Sequence, residues 1–216
     1  MLYADTWLHL GWLLMATGLF YAVRFERWAS IPQPQITAWL ASCIVILLTW
    51  QLKAQVQAGI SFHILGSAAL SLIAGRNRAL LGIAGLILLQ AAFGHIPWQS
   101  IGLFWLLKGA IPILICSALL SWAQRRLPLN YFVYIFFNSF CAAALSMWAY
   151  GLLHALALAT SGAYPWDFLT EEVLPYYFLM GWPEGFTTGL NLTLLVVWLP
   201  QWVATFDDRK YLQKRD

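Results

Sequence analysis

The chain has 216 residues, of which 61% are hydrophobic and 10% are charged, and its formal net charge is +3. Soluble domains carry roughly 25% charged residues, so this composition excludes a soluble globular protein and indicates an integral membrane protein. The small net charge gives no support to nucleic-acid binding. The thirteen Trp and nine Tyr residues suit helix ends at two lipid interfaces, where amphipathic rings are favoured.

Seven apolar runs follow one another along the chain and predict an all-α transmembrane bundle within a single domain over residues 1–216. Several runs are short, which favours a compact bundle of tilted or partly buried helices. The predicted spans are about 6–23, 36–52, 60–75, 79–94, 100–122, 130–158 and 185–203, followed by a tail over 204–216.

The Lys and Arg residues predict the orientation of this bundle. Ten of them fall in the loops and tail on one side of the predicted spans, against one, Lys53, on the other. The positive-inside rule therefore places the N-terminus outside and the C-terminus in the cytoplasm. We expect a multi-pass protein of the bacterial inner (cytoplasmic) membrane, in contact with membrane lipids.

All four histidines fall in the outer third of the predicted bundle: His9, His63, His95 and His154. Neutral imidazole is a common ligand of divalent transition metals, and helical bundles build metal sites from single residues on facing helices. The alternative for each ring is a hydrogen bond to a backbone carbonyl or a helix end. Asp5 precedes His9 by four residues and shares its helix face; it is a ligand, a partner that orients the imidazole, or a charge favoured by the helix dipole.

Two further features have open roles. Lys108 lies within the fifth apolar span, where it either extends its amine towards the surface or pairs with a carboxylate such as Glu184 or Asp5. The loop over 161–184 is the longest connection, and its segment 166–178 either lies on the outer membrane surface or covers the bundle.

Short motifs between Gly59 and Gly94 resemble those of a known family. His63, Ile64, Leu65 and Gly66 follow a lead rich in Gly and Ser, and the next apolar run ends in Gln90, Ala91, Phe93 and Gly94. With the opening residues 1–8 and a weaker similarity over 184–189, they resemble the CbiM/NikM family. Its members are the membrane substrate-capture subunits of energy-coupling-factor transporters for cobalt and nickel.

The resemblance also implies where this chain departs from the family. Its nickel and cobalt members grip the metal with the N-terminal amine, an imidazole at position two and an imidazole of the third helix. Position two is Leu2 here, so His63 alone carries over. The family's asparagine-rich motif is replaced by a segment that contains Lys108, and the acid after the Phe-Gly pair is replaced by His95. We therefore expect a rebuilt site for a divalent transition metal, with nickel, cobalt, zinc, copper and iron all open. Its predicted ligands are His63, His9, His154, His95 and Asp5.

The leading hypothesis is a metal-ion capture or permease subunit. No G-x-x-x-x-G-K-[ST] motif occurs in the chain, so we expect ATP hydrolysis to be supplied by a cytoplasmic ATPase, reached through a coupling membrane subunit. One alternative is a histidine-ligated membrane metalloenzyme acting on a lipid-soluble or periplasmic substrate, with Lys108 or Glu184 as acid or base. A second alternative is an accessory subunit that only binds other membrane proteins.

Overall fold

The computed structural model describes residues 2–211, and helices make up most of it. Lys214 and Arg215, which the sequence assigns to the basic tail, lie outside the described residues. The helices are α1 (Asp5–Phe25), α2 (Gln33–Thr49), α3 (Ser67–Ala74), α4 (Arg76–Ala92), α5 (Trp98–Arg126), α6 (Val133–Thr160), α7 (Leu174–Trp198) and α8 (Asp208–Tyr211). Helices α1, α5 and α6 are long and apolar enough to cross a membrane. The architecture is the all-α transmembrane bundle that the sequence predicts, whereas its orientation remains a prediction.

A β-hairpin joins α2 to α3 and changes the predicted third span. Strands β1 (Ala54–Gln57) and β2 (Ile60–Phe62) pair antiparallel, so the predicted span over 60–75 consists of a strand, a loop and the eight-residue helix α3. Gly66, with φ +70°, separates the loop from the helix. Eight residues rise only about 12 Å, well short of about 30 Å of hydrocarbon. His63 therefore lies in a loop at the hairpin end of the bundle.

Helix α7 begins earlier than the predicted span over 185–203. The chain forms a helical turn at Trp166–Phe168 and a π-helical segment at Leu169–Val173, then continues into α7. Pro175 lies in the first turn of α7, where proline is tolerated, and Pro183 lies inside the helix. Two prolines in an aromatic and acidic stretch favour a loop, so the predicted span begins eleven residues after the start of α7.

Close backbone contacts between helices hold the bundle together. A Cβ atom on Gly11 of α1 would overlap the backbone of Gly102 and Leu103 in α5, and a Cβ atom on Gly102 would overlap the backbone of α1. Likewise, Gly151 of α6 lies against Tyr177 of α7. Small residues allow this approach, which maximises van der Waals contact between helices in a membrane.

Candidate functional site

A cavity of about 390 Å³ opens at the hairpin end of the bundle. The N-terminal segment, the hairpin, the end of α4 and the first half of α5 all contribute to its wall. We call it the hairpin pocket. Among residues 2–211, its lining contains amines, imidazoles, amides and hydroxyls but no Asp or Glu. The polar and charged lining residues are Tyr3, Lys53, Gln55, Ser61, His63, Gln90, His95, Gln99, Ser100, Lys108 and Tyr150.

His63 presents a single ring nitrogen to this pocket. The side chain is buried, and its Nδ1 lies 3.0 Å from the carbonyl oxygen of Ile64. Because a carbonyl oxygen only accepts hydrogen bonds, Nδ1 carries the proton in the neutral ring, and Nε2 keeps its lone pair. Nε2 accepts a hydrogen bond from Nζ of Lys108 at 3.0 Å. This tautomer is the one needed for a ligand that binds metal through Nε2.

Glu184 fixes the loop that carries His63. Its carboxylate is fully buried and accepts hydrogen bonds from the backbone N–H groups of Leu65, at 2.6 Å, and Gly66, at 2.9 Å. Trp50 donates from Nε1 to the carbonyl oxygen of Leu65 at 3.1 Å. Since an unpaired buried donor is costly, these bonds hold the loop between β2 and α3 in one conformation. Glu184 is therefore a positioning residue for His63.

Lys108 lies in a π-helical turn, Leu106–Ala110, within α5. Pro112 has no N–H, so the carbonyl oxygen of Lys108 lacks its usual helical partner. The hydroxyl of Ser67 at the start of α3 donates to that oxygen instead. Such π-helical turns occur frequently at functional sites. The distortion places the Lys108 side chain beside the loop that carries His63.

The Lys108 amine contacts rings rather than carboxylates. Its Nζ lies 5.0 Å from the centre of the Phe104 ring and 5.7 Å from that of Trp50, within the range of cation–π attraction. Over residues 2–211, the one ion pair joins Arg78 to Glu26. Lys108 therefore pairs with His63, and neither of the two carboxylates considered from sequence is its partner.

His154 is buried behind the wall of the hairpin pocket. The hydroxyl of Tyr3 lies 2.8 Å from its Nε2, and the hydroxyl of Tyr177 lies 2.8 Å from its Nδ1. Its ring also stacks on Tyr150, with ring centres 5.5 Å apart. Both ring nitrogens are therefore engaged by tyrosines in this conformation. Of the three tyrosines around the ring, Tyr3 and Tyr150 line the cavity.

The other predicted ligands are exposed. His95 lines the hairpin pocket, whereas His9 and Asp5 lie on the surface of α1 and do not line it. Within the described residues, no three His, Cys, Asp or Glu side chains come together in a group that could hold a metal ion. The pocket thus brings together His63 and His95 of the predicted set, and the five-residue ligand set stays a prediction.

Sequence reasoning missed several residues of the pocket. Gln90 is about nine-tenths buried, and its side-chain amide makes no hydrogen bond to any residue between 2 and 211. Tyr3, Trp50 and Tyr150 form other parts of the wall. Gln90 and Tyr3 are polar residues within the motifs that carry the family resemblance, and this combination could have marked them as pocket residues. No such sequence signal marks Trp50, because aromatic residues are abundant throughout the chain.

The fold and the pocket define a polytopic helical membrane protein with a polar cavity at one end, and comparison with known proteins gives its family. The model of the CbiM family, described as "Cobalt uptake substrate-specific transmembrane region", matches residues 2–202. The chain belongs to this family, which confirms the resemblance seen in the sequence. No curated protein matches the chain.

Two crystal structures share the fold. One, described as a truncated transition metal transporter, is 16% identical, with a TM-score of 0.77, and the match covers 91% of this chain and 96% of that one. The other, described as a transition metal transporter, is 15% identical, with a TM-score of 0.76, and the match covers 90% and 89%. At these identities the likeness shows the shared fold alone.

Proposed function

We propose that the chain is the substrate-capture subunit of a transition-metal uptake transporter and that the hairpin pocket is its capture site. Membership of a cobalt-uptake family supports the cargo class. The observation that carries the site is the His63 ring, which lines a polar cavity, with its Nδ1 held by a backbone carbonyl and its Nε2 hydrogen-bonded to the Lys108 amine. A transition metal accepts such a nitrogen readily.

Capture then requires Lys108 to leave His63. Its Nζ occupies the direction from which a metal would approach Nε2, so cargo binding exchanges a hydrogen bond for a coordinate bond. A hydrogen bond involving a charged group contributes about 1.5–3 kcal/mol, which a metal–imidazole bond can offset. His95, which faces the same cavity, is the second proposed donor. His154 would first have to give up a tyrosine hydrogen bond, and His9 and Asp5 would have to be approached from outside the pocket.

Release on the other side of the membrane needs energy and partners. The chain lacks a phosphate-binding loop for ATP, so we propose that a cytoplasmic ATPase and a coupling membrane subunit act with it. The arginine-rich end of the bundle, which the charge distribution assigns to the cytoplasm of a bacterium, is the proposed side of contact.

Cellular metal accumulation tests this function. Cells that express the chain with the coupling subunit and ATPase of its own host are supplied with cobalt, nickel, zinc, copper or iron, and accumulation is measured by elemental analysis. We expect one or more of these metals to accumulate, and His63→Ala to reduce accumulation to that of cells lacking the chain. Asn191→Ala, an exposed amide on α7 away from the pocket, is the matched control and should accumulate as the parent does.

Two outcomes would contradict the proposal. Unchanged accumulation in His63→Ala would remove the capture site from the pocket and would leave the accessory-subunit alternative. Metal that stays bound through purification and resists chelators would instead favour the membrane metalloenzyme. His9→Ala and Asp5→Ala separately test the wider ligand set that the sequence predicts, because only that set expects them to lower accumulation.

A further inference from the structure

The charge of the hairpin pocket points to the chemical form of the cargo. We infer that the pocket takes its metal as a complex with a small, carboxylate-bearing chelator, which is an anion, rather than as a hydrated divalent ion. The inference rests on the proposed function and names its substrate class.

The pocket is unsuited to a free divalent cation. Two lysines, Lys53 and Lys108, line it, and no Asp or Glu of the described residues does. The Glu184 carboxylate, which is buried behind the loop that carries His63, already accepts hydrogen bonds from the backbone N–H groups of Leu65 and Gly66. Like charges at short range in a partly desolvated cavity repel strongly. A free divalent ion would find no carboxylate in this lining to offset its charge, whereas the two lysines attract an anion.

The volume of the pocket also fits a small molecule. A water molecule occupies about 30 Å³ in the liquid, so about 390 Å³ exceeds what one desolvated ion and a few ligands require. Pockets of roughly 300–1,000 Å³ are typical of small-molecule sites. A metal with one chelator of low molecular mass fills such a space.

The lining offers hydrogen-bond donors of the kind that carboxylates need. Lys108 has no carboxylate partner among the described residues, and its hydrogen bond goes to the neutral ring of His63. Gln90, a mostly buried residue that lines the same cavity, adds a side-chain amide that makes no hydrogen bond to the described part of the chain. A carboxylate that draws the Lys108 amine away from His63 also frees Nε2 for the metal. A single movement of the Lys108 side chain thus binds the carboxylate of the chelator and exposes the imidazole nitrogen to the metal.

Binding of defined probes to the purified protein tests the inference. Tryptophan fluorescence is recorded in detergent while cobalt chloride, trisodium citrate, a 1:1 cobalt–citrate complex or a neutral 1:2 cobalt–histidine complex is added. Trp50 lines the pocket and reports its occupation. We expect cobalt–citrate to bind at concentrations at least about tenfold lower than any other probe, a difference of about 1.4 kcal/mol.

Lysine variants test which residues bind the anionic complex. Lys108→Gln should weaken cobalt–citrate binding at least tenfold. Lys210→Gln, which replaces an exposed lysine of helix α8 that does not line the pocket, should leave binding unchanged. Lys53→Gln removes an exposed charge at the rim and should weaken binding about threefold. It keeps the test decisive if Lys108→Gln does not fold.

Each contrary result is informative. Cobalt chloride binding as tightly as cobalt–citrate, with neither lysine variant weakened, overturns the anionic cargo but leaves the uptake assay to decide the proposed function. Citrate binding equally well without metal, or no binding of any probe, overturns the inference as well. Metal accumulation in cells that is unchanged by His63→Ala, by contrast, would overturn the proposed function itself.

Discussion

Replacing Glu184 with alanine tests whether this carboxylate builds the site. The substitution removes the acceptor for the backbone N–H groups of Leu65 and Gly66, both buried. An unsatisfied buried donor costs about 1–3 kcal/mol, so two cost about 2–6 kcal/mol before any cavity is counted. For a domain of about 200 residues, 1 kcal/mol shifts the midpoint of thermal unfolding by roughly 2–4 °C. We therefore expect a decrease of roughly 5–20 °C.

The assay is thermal unfolding in detergent, followed by tryptophan fluorescence. Glu184→Gln keeps one carbonyl acceptor and should lose about half as much stability as Glu184→Ala. Glu171→Ala, an exposed acid in the segment before α7, is the matched control and should unfold as the parent does. Equal unfolding midpoints for Glu184→Ala, Glu184→Gln and the parent, within about 1 °C, would refute the reasoning.

Three further predictions concern the frame around the pocket. Gly102→Ala should destabilise the fold by about 3 kcal/mol, the upper end of the usual cost of overpacking, because a Cβ atom would overlap the α1 backbone. Gly85→Ala, where a Cβ atom meets nothing within 4 Å, should be neutral or slightly stabilising. Unfolding midpoints of the two variants check this, and similar values would contradict it. Tyr177→Phe should cost about 1–3 kcal/mol because Nδ1 of buried His154 loses its partner, and an unfolding midpoint equal to that of the parent would argue against that bond. Gly66→Ala should cost at least about 1–2 kcal/mol, because φ is +70° and the new Cβ atom would lie 2.8 Å from Ile46; an unchanged midpoint would show that this loop tolerates another backbone conformation.

The class of fold was predictable from sequence because apolar length and sorted charge are direct consequences of the membrane. The turn at Gly75 between α3 and α4 likewise falls at the boundary between the predicted spans over 60–75 and 79–94. The third span was not predicted correctly, because Ile60–Phe62 and Leu70–Ala74 are equally apolar and only backbone geometry separates a buried strand from a helix. At Pro183 the prediction is wrong in the other direction: the proline suggests a helix boundary where the structure has a continuous helix.

The candidate site was predictable only in part. His63 and the motif around Gln90 were visible, since both lie in short patterns with a recognisable order. The partner of Lys108 was not predictable, because a carboxylate is the expected partner of a buried amine. Its hydrogen bond to His63 follows from the π-helical turn that precedes Pro112. The sequence places His154 near one end of the span over 130–158, but the tyrosines that bind both of its nitrogens come from residues 151 and 23 positions away. No local pattern carries such contacts.

The most direct test of the central claim is the position of the metal. Anomalous scattering from crystals grown with cobalt–citrate should show one cobalt peak in the hairpin pocket, roughly 2 Å from Nε2 of His63, as is usual for metal–imidazole bonds, with the Lys108 amine displaced from the ring. A peak beside His9 and Asp5, or at His154, in protein that binds cobalt–citrate would contradict the account.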